Sequence, residues 1–119
     1  MTTRRPPDIS ALLPLTPAIV HILLALADGD RHGYGIMQEV ERLTDGAVRM
    51  GPGTLYGTLK RMLASGFVEP ADERPDPELD DERRRYYRAT RLGLAVLEAE
   101  AARMQALVGA ARAKRVRAR

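Results

Sequence analysis

The stretch Gly51-Pro52-Gly53-Thr54-Leu55-Tyr56-Gly57-Thr58-Leu59-Lys60-Arg61-Met62-Leu63-Ala64-Ser65-Gly66 decides the fold. Gly51 is an acceptable helix N-cap, and Pro52 fits the first helical position, where its missing N–H removes no bond. Leu55, Leu59, Met62 and Leu63 then recur at helical spacing and make one apolar stripe. The opposite face carries Thr54, Gly57, Thr58, Lys60, Arg61 and Ser65, with Tyr56 at its edge. Gly66 suits the left-handed residue that closes a helix, and Phe67 can fold back on the last turn. The stretch reads as a helix that is apolar inside and polar and basic outside.

Upstream, Ile36, Met37, Val40 and Leu43 mark a helix over about Gly33 to Thr44, ended by Asp45-Gly46. The connection, Ala47 to Met50, is tight. Before it, Thr16 reads as an N-cap and Pro17 as the first residue of another helix running to about Asp28. Leu15 and Val20 are placed to staple its start. Ile19, Val20, Ile22, Leu23, Leu24 and Leu26 make this helix apolar nearly all round, so it is buried on more than one side, with a second chain supplying part of the cover. Residues 1–14 read as a flexible arm in which Ile9, Leu12 and Leu13 give something to dock with.

Downstream, Phe67-Val68-Glu69 and Arg85-Tyr86-Tyr87-Arg88-Ala89 read as two short strands of a hairpin, joined by a long acidic loop. Tyr34, Tyr86 and Tyr87 are assigned to core and sheet. Alternation along a strand turns one of the adjacent tyrosines outward. Thr90 caps a last helix over 91–113. There Leu94, Leu97, Ala101, Met104, Val108 and Ala111 alternate steps of three and four, a heptad seam that an isolated helix has no use for. A basic tail, 114–119, follows. The fold class expected is mainly α with a small β-hairpin: a winged helix-turn-helix over 15–90 and a long C-terminal dimerisation helix.

Two helices on a tight connection, the second basic outside, followed by a hairpin, describe a module that reads duplex DNA. The start of a helix offers N–H groups and a positive dipole end to phosphate, and Gly51 and Gly53 leave room for close approach. Thr54, Tyr56, Lys60 and Arg61 can reach phosphates or base edges in the major groove. Arg83, Arg84 and Arg85, at the hairpin base, can reach the flanking backbone or minor groove. The formal net charge of +3 understates this basic block, because an acidic run, Asp72 to Glu82, precedes it.

The 119 residues fit one domain. The chain contains no cysteine, which removes disulfides, thiol nucleophiles and cysteine zinc sites and fits a reducing compartment. His21 reads as a partly buried helix residue and His32 as bonding locally, so no metal site or cofactor is expected. There is no nucleophile elbow and no nucleotide loop, and the carboxylates cluster in a flexible-looking loop, so no catalytic residues are assigned and an enzyme is not expected. The apolar stretch from Ala18 to Ala27 is too short to span a bilayer, and no leader follows from residues 1–8; no membrane partner and a cytoplasmic location are expected.

Further residues carry a family resemblance. Leu26-Ala27-Asp28-Gly29-Asp30-Arg31-His32-Gly33-Tyr34-Gly35-Ile36, the Gly51–Arg61 stretch, Gly66-Phe67-Val68-Glu69 and Arg84-Arg85-Tyr86-Tyr87-Arg88-Ala89-Thr90-Arg91-Leu92-Gly93 resemble, in order and spacing, the PadR family of transcriptional regulators. The single C-terminal helix is similar to its short-chain subgroup. The resemblance implies a homodimer held by the first and last helices, with Ile19 and Leu23 joining Leu94, Leu97, Ala101, Met104 and Val108. It also implies a recognition helix from Pro52, carrying Gly53, Thr54, Tyr56, Thr58, Lys60 and Arg61, and repression on a pseudo-palindromic operator relieved by a small hydrophobic or aromatic effector. Gly57 stands where the family often has proline, and the acidic hairpin tip replaces the usual glycines, which opposes deep insertion of the tip among phosphates. The absence of tryptophan excludes a tryptophan-walled drug pocket. Two other readings keep the fold: an adaptor that binds protein with its basic face merely solvated, and an RNA binder, which the shortage of exposed aromatics disfavours.

Overall fold

The computed structural model describes residues 8–71 and 85–114. Among these residues the chain forms four α-helices, α1 (Pro17–Leu26), α2 (Gly33–Leu43), α3 (Pro52–Ser65) and α4 (Arg91–Ala113). Three short strands, β1 (Arg31–His32), β2 (Val68–Ala71) and β3 (Tyr86–Ala89), form an antiparallel sheet in the order β1-β3-β2. A 3-10 turn, Ile9–Leu12, precedes α1. The mainly helical winged-helix class expected from sequence is the class observed.

The cap chemistry holds where it was read. Thr16 accepts from the Ile19 N–H at 3.4 Å and Pro17 opens α1; Thr90 accepts from the Gly93 N–H at 3.0 Å and opens α4. Gly66 closes α3 with φ 78°, a left-handed conformation that costs a residue without Cβ nothing. Thr90 also ties two elements together. Its hydroxyl donates to the Gly66 carbonyl at 2.5 Å and its N–H to the Phe67 carbonyl at 3.0 Å, so the start of α4 is fastened to the end of α3.

One core lies between α1, α2, α3, the sheet and the first half of α4. Ile22, Leu23, Ile36, Val40, Leu55, Leu59, Met62, Val68 and Val96 are fully or almost fully buried in it. Burying each such side chain is worth about 1.5–3 kcal/mol before the entropy of ordering is counted. Leu23 was expected at a subunit contact, and that assignment is corrected: α2, α3, α4 and β3 all pack on α1, and Leu23 is enclosed within its own chain. The aliphatic side chain of α1 that remains open is Leu24, 43% exposed.

Two further expectations change. The segment 8–14 is not a loose arm. Its 3-10 turn lies against α4, Ile9 and Leu13 are half-buried on the core, and Leu15 is buried. Residues 1–7 lie outside the described residues, as does the hairpin tip. In addition, β1 makes the hairpin a three-stranded sheet, pairing Arg31 with Tyr87 and His32 with Tyr86.

A buried carboxylate secures the docked segment. Glu100, on the inner face of α4, is wholly enclosed; its Oε2 accepts the Leu15 N–H at 2.7 Å and its Oε1 pairs with Arg103. The Arg103 hydrogen bond, helped by the Leu15 N–H and opposed by burial, holds the Glu100 carboxyl below the usual carboxylate range. Past Arg103, residues 104–114 are exposed throughout, so the second half of α4 projects beyond the core.

Candidate nucleic-acid interface

The start of α3 is built to be open. Gly51 caps it without a side-chain hydrogen bond, and Pro52 has no N–H, so the first-turn amides of Gly53 and Thr54 receive no acceptor from the cap residue. They face outward with the positive end of a fourteen-residue helix behind them. A Cβ placed at Gly51, Gly53 or Gly57 would meet nothing within 4 Å. The chain itself therefore does not require glycine there. Within a helix each glycine costs about 0.5–1 kcal/mol relative to alanine, so the bare surface is kept at some expense to stability.

Lys60 and Arg61 are exposed further along the same face, and Thr54 is exposed at its start. Arg61 is steadied by a hydrogen bond from its guanidinium to the Thr58 hydroxyl at 3.3 Å. Thr58 itself was expected on the outer face, and this is corrected. It is 1% exposed, and its hydroxyl donates to the Thr54 carbonyl at 2.7 Å, closing a turn inside the helix. Tyr56 is also placed differently. Its ring is half-buried on the core, and its phenol end lies over the bare Cα of Gly33, where any side chain would collide with it. Tyr56 thus fills the joint between α3 and α2, which makes Gly33 a packing glycine.

Arg85 is exposed immediately before β3. Arg83 and Arg84 lie outside the described residues. Along the sheet, Tyr87 faces the core at 4% exposure, while Tyr86 is half-buried with its ring edge-on to His32 at 5.3 Å. Arg88 crosses to Glu69 at 2.8 Å, opposite it in the β2–β3 register. His32 bonds locally as expected: its Nδ1 accepts the Gly35 N–H at 2.8 Å and caps α2. Tyr34, assigned to the core from sequence, is 57% exposed.

Sequence reasoning missed three residues that shape this surface. Arg49 stands just before α3, with its side chain 78% exposed and pairing with Glu41 at 3.4 Å. It borders a shallow groove of about 210 Å³ between the start of α1 and the start of α3, lined also by His21, Met50 and Thr54. A cation two residues before a glycine N-cap was the available signal. Arg31 joins α1 to α2 by donating to the Ala25 carbonyl at 2.7 Å and pairing with Asp28 and Glu39. Glu39, nearly buried, accepts from Nε and one Nη of Arg42, each at 2.7 Å, and that hydrogen bonding holds its carboxyl low. The Glu39–Arg42 and Asp28–Arg31 pairs follow i,i+3 spacing, but the links from Arg31 to Ala25 and Glu39 show in no pattern, because they cross between elements.

Among the described residues no group of His, Asp and Glu is placed to hold a metal ion, and no helix is long and apolar enough to cross a membrane. What remains is a three-helix core carrying an open, basic helix beside a short sheet, the arrangement of winged-helix regulators.

Comparison with known proteins makes this specific. The model of the PadR-like family of transcriptional regulators matches residues 22–99, and the chain belongs to that family. It is 41% identical over 78 residues to transcriptional regulator Rv3488 of Mycobacterium tuberculosis, covering 66% of each chain. It is 40% identical over 88 residues to an uncharacterised 37.1 kDa protein in a transposon of Streptomyces fradiae, covering 74% of this chain but 23% of that protein. Among solved structures it superposes on a transcriptional regulator from Clostridium thermocellum with TM-score 0.67 at 24% identity, over 92% of this chain and 97% of that one. It superposes on Bacillus subtilis PadR in complex with operator DNA with TM-score 0.60 at 21% identity, over 71% and 46%.

Proposed function

We propose that this chain is a sequence-specific, duplex-DNA-binding transcriptional repressor that acts as a homodimer on a pseudo-palindromic operator. The observation that carries the reading is the outer face of α3. Two glycines with no internal reason, two uncapped first-turn amides, and exposed Thr54, Lys60 and Arg61 share one surface of a helix whose other side is core. Phosphate contacts from such a surface set affinity and orientation, and Arg61 and Lys60 can read guanine edges in the major groove. The fold shared with a PadR protein crystallised on operator DNA supports the same partner.

The homodimer rests on the open apolar stripe. Leu94, Met104 and Val108 are 40–48% exposed, Ala101 is exposed, and Leu97 and Ile19 are half-buried. Leu107, outside the heptad spacing, extends the stripe at 57%, and Leu24 lies open on α1. A second copy of α4 laid along this seam would bury it. Repression is favoured over activation because a dimer of this size has little surface left to recruit a polymerase. Release would come from a small hydrophobic or aromatic effector lodged between the subunits, where apolar clefts form.

The test is duplex binding by Lys60→Ala and Arg61→Ala proteins. Each should lower affinity and reduce the slope of log affinity against log salt by about 1. Wild-type affinity and slope in both, in folded protein, would remove this face from the DNA site.

A further inference from the structure

Three tyrosines and a histidine converge on the start of α2. The phenol end of Tyr56 lies over Gly33, joining α2 to α3; the His32 ring stands edge-on to Tyr86, joining α2 to β3. Tyr34 directly follows these two joints and stacks on His32, with ring centres 6.4 Å apart and planes 27° apart. His32 cannot turn away, because its Nδ1 is held by the Gly35 N–H. Tyr34 is the one exposed aromatic among the described residues, and none of the hydrogen bonds found among them involves its hydroxyl. The core does not use this side chain; its ring rests on His32 of β1.

Its position is defined by its neighbours. Tyr56 is flanked on α3 by Gly53 and Lys60, both on the outer face, and Tyr86 directly follows Arg85. Tyr34 therefore adjoins the points where α2 meets α3, at Gly33, and the hairpin, at His32. With α3 in a major groove and the hairpin against the flank, the strand between them crosses the start of α2. A phenol on a ring fixed by stacking is a neutral donor well suited to a phosphate oxygen.

We propose that Tyr34 is a DNA-backbone contact, its hydroxyl donating to a phosphate of the strand that passes between α3 and the hairpin. The proposal rests on the duplex-binding reading above. Because the donor is uncharged, it strengthens binding to every sequence alike and releases no extra counterion.

The experiment compares wild type, Tyr34→Phe and Lys60→Ala on an operator duplex and on an unrelated duplex across a salt series. Tyr34→Phe keeps the stacked ring, so its melting temperature should match wild type. Its affinity should fall about fivefold on both duplexes, the loss expected of one hydrogen bond, with an unchanged salt slope, whereas Lys60→Ala should flatten the slope. If wild type binds and Tyr34→Phe binds equally well, the contact is overturned while the duplex reading stands. A loss confined to the operator would make Tyr34 a base contact and overturn the backbone assignment. A wild-type chain that binds no duplex overturns the duplex reading and this contact together.

Discussion

Glycines in this chain divide into those the fold needs and those it does not. At Gly93 a Cβ would run into the Phe67 carbonyl, because Thr90 draws the first turn of α4 onto the start of β2. Gly93→Ala should destabilise the protein by about 1–3 kcal/mol, as overpacking does, read by chemical denaturation. Gly57→Ala should do the reverse, stabilising by about 0.5–1 kcal/mol while weakening duplex binding, since a methyl would then stand where DNA approaches. A Gly57→Ala protein that is more stable and binds as before would place the DNA elsewhere. The capping residues Thr16, Gly66 and Thr90 were legible in the sequence, because a cap acts on its own next few residues. Gly33 and Gly93 were not, because what crowds them, Tyr56 and Phe67, arrives from other elements.

Glu100 is another residue whose role depends on distant partners. Its carboxyl titrates below its ordinary value of 4.5 in the folded protein, chiefly through Arg103. A lowered folded-state value means that the unfolded chain binds the proton more readily. The stabilisation is present above about pH 4.5 and is lost as pH falls through the lower folded value. Thermal melts from pH 7 to pH 3 should show this acid loss, and Glu100→Gln should lower the melting temperature at pH 7 and shrink the acid-dependent part. An equal acid loss in Glu100→Gln would assign it to other carboxylates, Glu39 first. Nothing in the sequence sets Glu100 apart from the other charges of the helix, and only its place on the inner face of α4, opposite Leu15, makes it a fastening.

At the scale of elements, α1 to α4 were legible from apolar spacing in each, from the caps Thr16, Gly51 and Thr90 at the starts of α1, α3 and α4, and from the glycine turns after α1, α2 and α3. The strand β1 was not. Two residues carry no periodicity, and the partners of Arg31 and His32 lie far along the chain at Tyr87 and Tyr86. The docking of residues 8–14 was half-legible: their leucines showed an apolar surface was needed, but not that α4 would supply it together with a buried carboxylate. For α4 itself, the inner face ends at Arg103 and the exposed stripe continues through Met104, Leu107 and Val108. Met104→Asp should therefore leave the domain folded and convert a dimer to monomer, read as native mass. A dimer that persists would refute the α4 seam.

At the scale of the whole molecule, the proposed reading would divide DNA recognition among α3, the start of α2 and the base of the hairpin, and pairing two chains through α4 would repeat it about a two-fold axis. Two recognition helices should then meet half-sites one or two helical turns apart, ~34 Å per turn. The candidate site was legible as far as Thr54, Lys60, Arg61 and Arg85, whose exposure follows from helical periodicity and strand position. Thr58 and Tyr56 were misplaced because they sit at the border of the apolar stripe, where packing against α2 and the helix's own carbonyls decides which way a side chain turns. The central claim, sequence-specific duplex binding by a two-fold dimer, is tested most directly by selecting bound fragments from random duplex DNA and repeating the binding across a salt series. The account predicts enrichment of a dyad-symmetric motif whose affinity falls steeply as salt rises. No enrichment, with only weak binding that salt abolishes, would contradict it and leave the basic face of α3 a solvated surface of a protein-binding module.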